Sequence, residues 1–302
     1  MQGKIVVITG CTSGIGKEVA RECARLGARV MMVCRNLAKA EEIAKKIIQE
    51  TQNPQIETFQ CDLSSLSSVR TFTTNFLAQH EKIDALILNA GVFSFKKTLT
   101  QEGFELQYGV NYLAHFLMTM QLLPALLESG TARVISVASL LHLAGRIDFA
   151  NFRAESGYGP SSAYAQSKLA NILFMKELSR FLQATSVKAY SLHPGTVSTS
   201  LLGEQPNWLG KISSFLLKTP KKAASDIVSL ITQETIKEAS GTYFSEGKRG
   251  KLSPLAEDIS LARRLWNVSL QQCGLNEEQI KKSQRTPDQK KKESPVNIVA
   301  TL

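Results

Sequence analysis

The sequence predicts an α/β protein built on one doubly wound parallel sheet with helices on both faces, and three observations predict it. Short apolar runs recur at Ile5 to Ile8, Val30 to Val33, Ile83 to Leu88, Val134 to Ala138 and Val187 to Leu192. Segments of helical periodicity separate them, and a glycine-rich loop follows the first run directly. Continuous rather than alternating apolar strands are what burial on both faces requires, and strands alternating with helices assemble into a parallel sheet.

The first strand opens into Thr9-Gly10-Cys11-Thr12-Ser13-Gly14-Ile15-Gly16, followed by a helical pattern through Gly27. Gly10 permits a tight turn off the strand, Gly14 lets the backbone come close to a pyrophosphate, and Gly16 lets helix and strand pack closely. The helix N-terminus then faces the anion. A glycine trio alone is weak evidence; placed between a strand and a helix it points to a dinucleotide site, with Gly10, Thr12, Ser13, Gly14, Ile15 and Gly16 around the phosphates.

After the second strand stands Arg35, where an NAD-binding fold places Asp or Glu on the ribose hydroxyls. A carboxylate there would repel a 2′-phosphate, whereas a guanidinium offers it a charge-assisted fork, so the expected cofactor is NADP(H). Asn36 and Lys17 are weaker helpers. In the next helix Leu37, Ala40, Ala44 and Ile47 make one apolar stripe for docking on the sheet.

Ser139 ends the strand run Val134 to Ala138, at the strand C-termini where open α/β sheets gather ligands, while Ser136 lies inside the run and is expected to pack there. A Gly/Pro/Ser-rich loop then leads into Tyr164-Ala165-Gln166-Ser167-Lys168, whose spacing of four puts phenol and ammonium on one helical face. A free phenol titrates near 10, so using it near pH 7 takes about three units of preference for phenolate, which a fixed ammonium is expected to supply. An isolated Tyr/Lys pair at this spacing is commonly a surface pair; Ser139 upstream is what changes the reading.

The last helix is read from Ser253 as cap and Pro254 at its first position, through Leu255, Ile259, Ala262, Trp266 and Leu270 on one face, to Gly274. The predicted organisation is therefore one domain over residues 1–275 and a polar, Lys-rich, disordered tail over 276–302. Of the chain's formal charge of +10, a net +4 belongs to the stretch from Lys281 to Leu302.

Composition narrows the class. With 302 residues and 43% hydrophobic content the chain can bury a large core. Cysteines 11, 23, 34, 61 and 273 form no C-x-x-C and no metal-ligand spacing, so reduced thiols in a cytoplasmic protein and no metal are expected. No stretch reads as a membrane span or signal segment, and nucleic-acid motifs are absent. His142 is placed at the edge of a substrate pocket, His80 and His115 as structural or exposed. The sequon Asn267-Val268-Ser269 falls in an apolar-periodic helix and reads as accidental.

Gly10-x-x-x-Gly14-x-Gly16, Asp62 after a strand, Asn89-Ala90-Gly91, Asn111, Ser139, Tyr164-x-x-x-Lys168 and His193-Pro194-Gly195 together resemble the short-chain dehydrogenase/reductase superfamily over residues 3 to about 275. Cys34-Arg35-Asn36, Ser167-Lys168-Leu169-Ala170-Asn171, Ser240-Gly241-Thr242-Tyr243-Phe244 and Arg264-Leu265-Trp266-Asn267-Val268-Ser269 are similar to its microsomal retinol dehydrogenase branch. The resemblance implies a Rossmann-like sheet and NADP(H). It implies Tyr164 as general acid in reduction, Lys168 holding ribose and tuning the phenol, Ser139 orienting the carbonyl, and Asn111 supporting a proton-relay water. It puts Asp62 and Leu63 near adenine and Asn89, Ala90 and Gly91 along the central strand. Pro194, Gly195, Val197 and Thr199 fall near the nicotinamide amide. Members of that branch often begin with a hydrophobic anchor, whereas this chain starts almost at its first strand, so membrane residence is not carried over.

Between Thr199 and Thr219, Leu201, Leu202, Trp208, Leu209, Ile212, Phe215, Leu216 and Leu217 suit an apolar flap over the reacting carbon. Core packing and contact with a bilayer surface are competing uses of the same stripe. The reading is an NADP(H)-dependent oxidoreductase acting on a lipophilic, retinoid-like aldehyde, ketone or alcohol. Its alternatives are a steroid or xenobiotic carbonyl reductase and a non-catalytic NADP-binding regulatory protein. It is placed in the cytoplasm, with peripheral contact to the cytosolic face of the endoplasmic reticulum and a homo-oligomer left open.

Overall fold

A computed structural model describes residues 1–195, 219–278 and 280. Its strands are β1 (Ile5–Thr9), β2 (Arg29–Cys34), β3 (Ile56–Gln60), β4 (Ala85–Leu88), β5 (Arg133–Val137), β6 (Lys188–His193), β7 (Tyr243–Ser245) and β8 (Lys248–Arg249). They form one eight-stranded sheet in the order β3-β2-β1-β4-β5-β6-β7-β8, parallel except for the β7–β8 hairpin. The strand order reverses direction between β1 and β4, so a crevice opens at the C-terminal ends of those two strands.

The helices are α1 (Gly14–Arg25), α2 (Leu37–Thr51), α3 (Leu66–Leu77), the short α4 (Leu106–Tyr108), α5 (Ala114–Glu128), α6 (Pro160–Phe181), α7 (Pro220–Thr232), α8 (Pro254–Glu257) and α9 (Ile259–Gln272). Alternation along β1 separates two apolar layers. Val6 and Ile8 join α1, α2 and α7 through Val19, Ala20, Ile47, Ala224 and Ile227. Ile5 and Val7 join α3, α5, α6 and α9 through Phe72, Phe116, Leu173 and Trp266.

Three expectations need correction. β3 was not among the apolar runs because Ile-Glu-Thr-Phe-Gln alternates and sits at the sheet edge, only half-buried. The C-terminal helix is two helices: Asp258 has an extended backbone and its carboxylate accepts from the Leu261 amide, capping α9. The break turns Leu255 outward and leaves Ile259 64% exposed, and the buried stripe is Ala262, Leu265, Trp266, Ser269 and Leu270. Finally, Leu106–Glu128 is one helical segment long and apolar enough to cross a membrane, yet 83% of its apolar window is buried inside the fold, which makes it a core helix here.

Trp266 carries α9 onto α5 and α6, with ring centroids 5.2 Å from Phe116 and 5.1 Å from Phe181. Its indole donates to Glu277 Oε2 at 3.2 Å, and Glu277 also binds Arg263, so contacts extend beyond Gly274. Ser269 is buried against Tyr112, its Oγ 2.6 Å from the phenol oxygen, so the sequon's hydroxyl is inaccessible in the folded chain.

Candidate active site

The loop after β1 turns at Gly10, whose φ of +67° is left-handed. A side chain there would begin 2.7 Å from the Ala90 Cα. Gly16 is constrained by space rather than by dihedral: a Cβ would lie 2.4 Å from both the Gly10 carbonyl oxygen and Asn89 Nδ2. Helix α1 therefore rests directly on the strand ends. Its cap residue Ser13 makes no side-chain capping bond, unlike Asn36, Ser65, Thr219 and Asp258 on α2, α3, α7 and α9. The first amides of α1 face the crevice without a capping side chain, and with the glycine contacts this fits an anionic group. Thr12 in the loop and Ile15 in the first turn of α1 are half-buried.

A hydrogen-bond chain invisible in the sequence ties this loop to the next. Thr9 Oγ1 accepts from the Asn89 and Ala90 amides, both at 3.0 Å, and lies 3.0 Å from His115 Nε2. His115 Nδ1 is 3.1 Å from the Asn111 carbonyl oxygen. Burial lowers His115 to about 4, so the ring is neutral, with Nδ1–H donating to that carbonyl and Nε2 accepting from Thr9. Asn89 Nδ2 donates to the Thr9 and Gly10 carbonyls, holding the ends of β1 and β4 together.

Asn111 lies in a π-helical turn, Gly109–Leu113, between α4 and α5. Its side chain clamps the β4 loop to α6: Oδ1 accepts from the Val92 amide at 2.7 Å, and Nδ2 donates to the Val92 carbonyl and to Ser167 Oγ, both at 3.0 Å. Gly91 sits between Asn111 and Lys168, where an added Cβ would lie 3.4 Å from Asn111 Oδ1 and 3.5 Å from Lys168 Nζ.

Helix α6 starts with Pro160 at its first turn and presents Tyr164 and Lys168 on its buried face. Lys168 Nζ donates to the Val137 carbonyl at 3.0 Å, which pins the ammonium to the end of β5, and lies 5.4 Å from the Tyr164 ring centroid. Ser139 follows β5, accepts from the Leu141 amide to cap the 3₁₀ turn Leu140–Ala144, and lies close enough to Tyr164 for its hydroxyl to favour the phenolate, against the larger effect of burial. The structure thus brings together Asn111, Ser139, Tyr164 and Lys168 beside Gly91. Ser136 is buried inside β5.

The pKa expectation reverses. Tyr164 is 8% and Lys168 3% exposed, and burial pushes the phenol up to about 12 and the ammonium down to about 8. The ammonium lies over the ring and spends a proton on Val137, so desolvation of each charged form outweighs attraction between them.

A stability consequence follows from Lys168. Its folded pKa lies below the unfolded value of 10.5, so between pH 8 and 10.5 the unfolded chain holds more protons and stability rises. Burial raises the five thiols, which has the opposite sign and costs stability above their ordinary value of 9. Compared with Lys168→Met, which shares the thiols, the wild type should gain on the order of 3 kcal/mol across that window. Chemical denaturation of both proteins at the two pH values checks it; a constant difference between them would contradict the burial assigned to Lys168.

Arg35 is exposed just beyond β2. With Asp62 it borders a cleft of about 630 Å³ between β3 and α3, also lined by Gln60, Ser65 and Ser68 and set apart from Tyr164. Asn36 caps α2 through its Oδ1, which accepts from the Lys39 amide, and Asp62 Oδ1 accepts from the Ser64 amide and hydroxyl. Leu63 is half-buried beside it, and Lys17 lies 4.0 Å from Glu18. Pro194 and Gly195 are buried after β6, whereas Val197, Thr199 and the flap residues Leu201, Leu202, Trp208, Leu209, Ile212, Phe215, Leu216 and Leu217 lie outside the described residues. His142 is fully buried, with its ring 4.9 Å from Tyr243.

Sequence reasoning missed Thr9 and Ser167, although both sit inside quoted motifs, because their partners are remote along the chain. It also missed Phe93, whose ring centroid is 5.5 Å from that of Tyr164.

Comparison with known proteins gives three findings. A family model described as short chain dehydrogenase matches residues 4–210. Human Retinol dehydrogenase 11 is 43% identical over 277 residues, covering 91% of this chain and 87% of that protein, and human Retinol dehydrogenase 13 is 42% identical, covering 90% and 85%. Among solved structures, an uncharacterised protein from Mycobacterium paratuberculosis superposes with a TM-score of 0.75 at 34% identity, over 91% of this chain and 95% of that one. A metagenomic short-chain oxidoreductase in complex with NADP gives 0.59 at 26% identity, over 77% and 92%.

Proposed function

The chain belongs to the short-chain dehydrogenase family of oxidoreductases, and from that premise we propose that it transfers hydride between NADP(H) and the carbonyl or alcohol carbon of a lipophilic, retinoid-like substrate. The observation that carries the reading is the convergence of Ser139, Tyr164 and Lys168 with Asn111 beside Gly91. Relatives named for retinol and an NADP-bound structural neighbour favour the substrate class and cofactor.

The residues available to hold the dinucleotide are Gly10, Thr12, Ser13, Gly14, Ile15 and Gly16 at its phosphates, Arg35 and Asn36 at a 2′-phosphate, and Asp62 and Leu63 toward adenine. Asn89, Ala90 and Gly91, Tyr164 and Lys168, and Pro194, Gly195, Val197 and Thr199 complete the set. When bound, NADPH supplies hydride to the carbonyl carbon. Ser139 donates to the carbonyl oxygen and fixes it near the phenol. Tyr164, still protonated at neutral pH, gives its proton to that oxygen as alkoxide character develops, because an alkoxide is a far stronger base than a phenolate. Lys168, pinned to Val137, then faces the new phenolate and stabilises it. The Asn111 clamp keeps Val92 and Ser167 in register, and a relay water at Asn111 would return the proton. Five free, buried thiols suit a reducing cytoplasmic compartment.

Arg35→Asp tests the cofactor assignment. Removing a charge-assisted fork and adding a carboxylate should weaken NADPH about 10- to 100-fold and shift preference toward NADH. Equilibrium binding of both dinucleotides, followed by all-trans-retinal reduction with each, reads this; NADPH affinity surviving unchanged would remove Arg35 from the cofactor site.

A further inference from the structure

We propose that Phe93 and Phe95 are specificity-determining residues that read the apolar tail of the substrate and set how strongly turnover depends on the length of that tail. The proposal rests on the carbonyl-reduction reading above and adds to it the surface that recognises the part of the substrate remote from the reacting oxygen.

Three rings lead out of the site. The buried Tyr164 ring has its centroid 5.5 Å from that of Phe93, and Phe93 lies 5.0 Å from Phe95 in an edge-on arrangement. Phe95 is 60% exposed, so the series begins at the reacting phenol and ends in solvent. Leu140, Leu141 and Leu143 are also exposed, on the 3₁₀ turn that Ser139 caps. Two segments that each contribute a neighbour of Tyr164 therefore expose large apolar side chains, as the walls of a site for a lipophilic ligand do.

The Phe93–Phe95 segment is held rather than loose. Asn111 binds both backbone groups of Val92 at one end. Past Phe93, the Tyr158 hydroxyl donates to the Ser94 carbonyl at 2.5 Å, and Tyr158 in turn accepts from Gln107 Nε2 at 3.0 Å. A backbone held at both ends loses little freedom on binding, so the apolar contact of the two rings is available to a tail. With its oxygen between Ser139 and Tyr164, a compact ketone meets Phe93 alone. An extended chain covers Phe93 and then Phe95.

A series of straight-chain aldehydes from propanal to dodecanal reads the proposal directly. For the wild type, kcat/KM should rise about fourfold per methylene while the tail is still covering rings. In Phe95→Ala, whose exposed side chain can be removed without opening the core, the dodecanal-to-propanal ratio of kcat/KM should fall by about tenfold or more. Calorimetric titration of dodecanol should give the matching loss of affinity. An unchanged ratio in Phe95→Ala with normal wild-type turnover overturns the proposal and leaves the enzymatic reading standing. Absence of turnover on every aldehyde by the wild type refutes that reading instead; dodecanol affinity lost in Phe95→Ala then still supports the ring series, and equal affinity overturns it.

Discussion

Tyr164→Phe is expected to lower carbonyl reduction by about 10²- to 10⁴-fold while dinucleotide affinity stays within severalfold of the wild type. The variant keeps the ring packed on Phe93 and beneath the Lys168 ammonium, so shape and core are retained and only the transferable proton is lost. With the phenol held up at about 12, wild-type reduction should be flat through neutral pH, since the acid is already protonated there. Oxidation of the alcohol, which needs phenolate, should climb as pH rises. Single-turnover rates in both directions, alongside equilibrium cofactor titration, measure this. Full activity in the variant would take the proton from another donor. A wild type that binds cofactor and turns over no carbonyl would favour a regulatory dinucleotide-binding protein.

Gly16→Val is expected to weaken dinucleotide binding about 5- to 150-fold, corresponding to roughly 1–3 kcal/mol of overpacking. The new Cβ would begin 2.4 Å from the Gly10 carbonyl oxygen and from Asn89 Nδ2. Asn89 already bridges β1 and β4 through the Thr9 and Gly10 carbonyls, so neither neighbour can yield without moving the glycine loop or the strand ends. The loss should fall on cofactor affinity more than on global stability, because the strain concentrates at the loop between β1 and α1. Binding isotherms and thermal denaturation of the cofactor-free protein separate the two. Equal affinity in the variant would mean that this loop does not carry the pyrophosphate.

How far the site could be read in advance depended on how local each requirement is. The glycine loop was legible because a left-handed turn and a close helix–strand approach leave one residue type at fixed positions within eight residues. Tyr164 and Lys168 were legible because helical geometry puts residues four apart on one face. β3 was not, since an edge strand half-open to solvent lacks the continuous apolar signature. The break at Asp258 was hidden by apolar spacing that runs on through it, although the residue is itself a good cap.

By itself the sequence determined a parallel sheet through β1, β2, β4, β5 and β6, the glycine loop after β1, the serine at the end of β5 and the phenol–ammonium spacing on α6. These follow from dihedral preference and periodicity, which act over a few residues. Tertiary structure decided that Thr9, 106 residues from His115, joins it in one buried chain of hydrogen bonds reaching Asn111. It also decided that desolvation outweighs the ammonium at Tyr164, and that Phe93 and Phe95 extend that ring to the surface. Burial and long-range contact arise only when distant segments meet, and local pattern carries no measure of either.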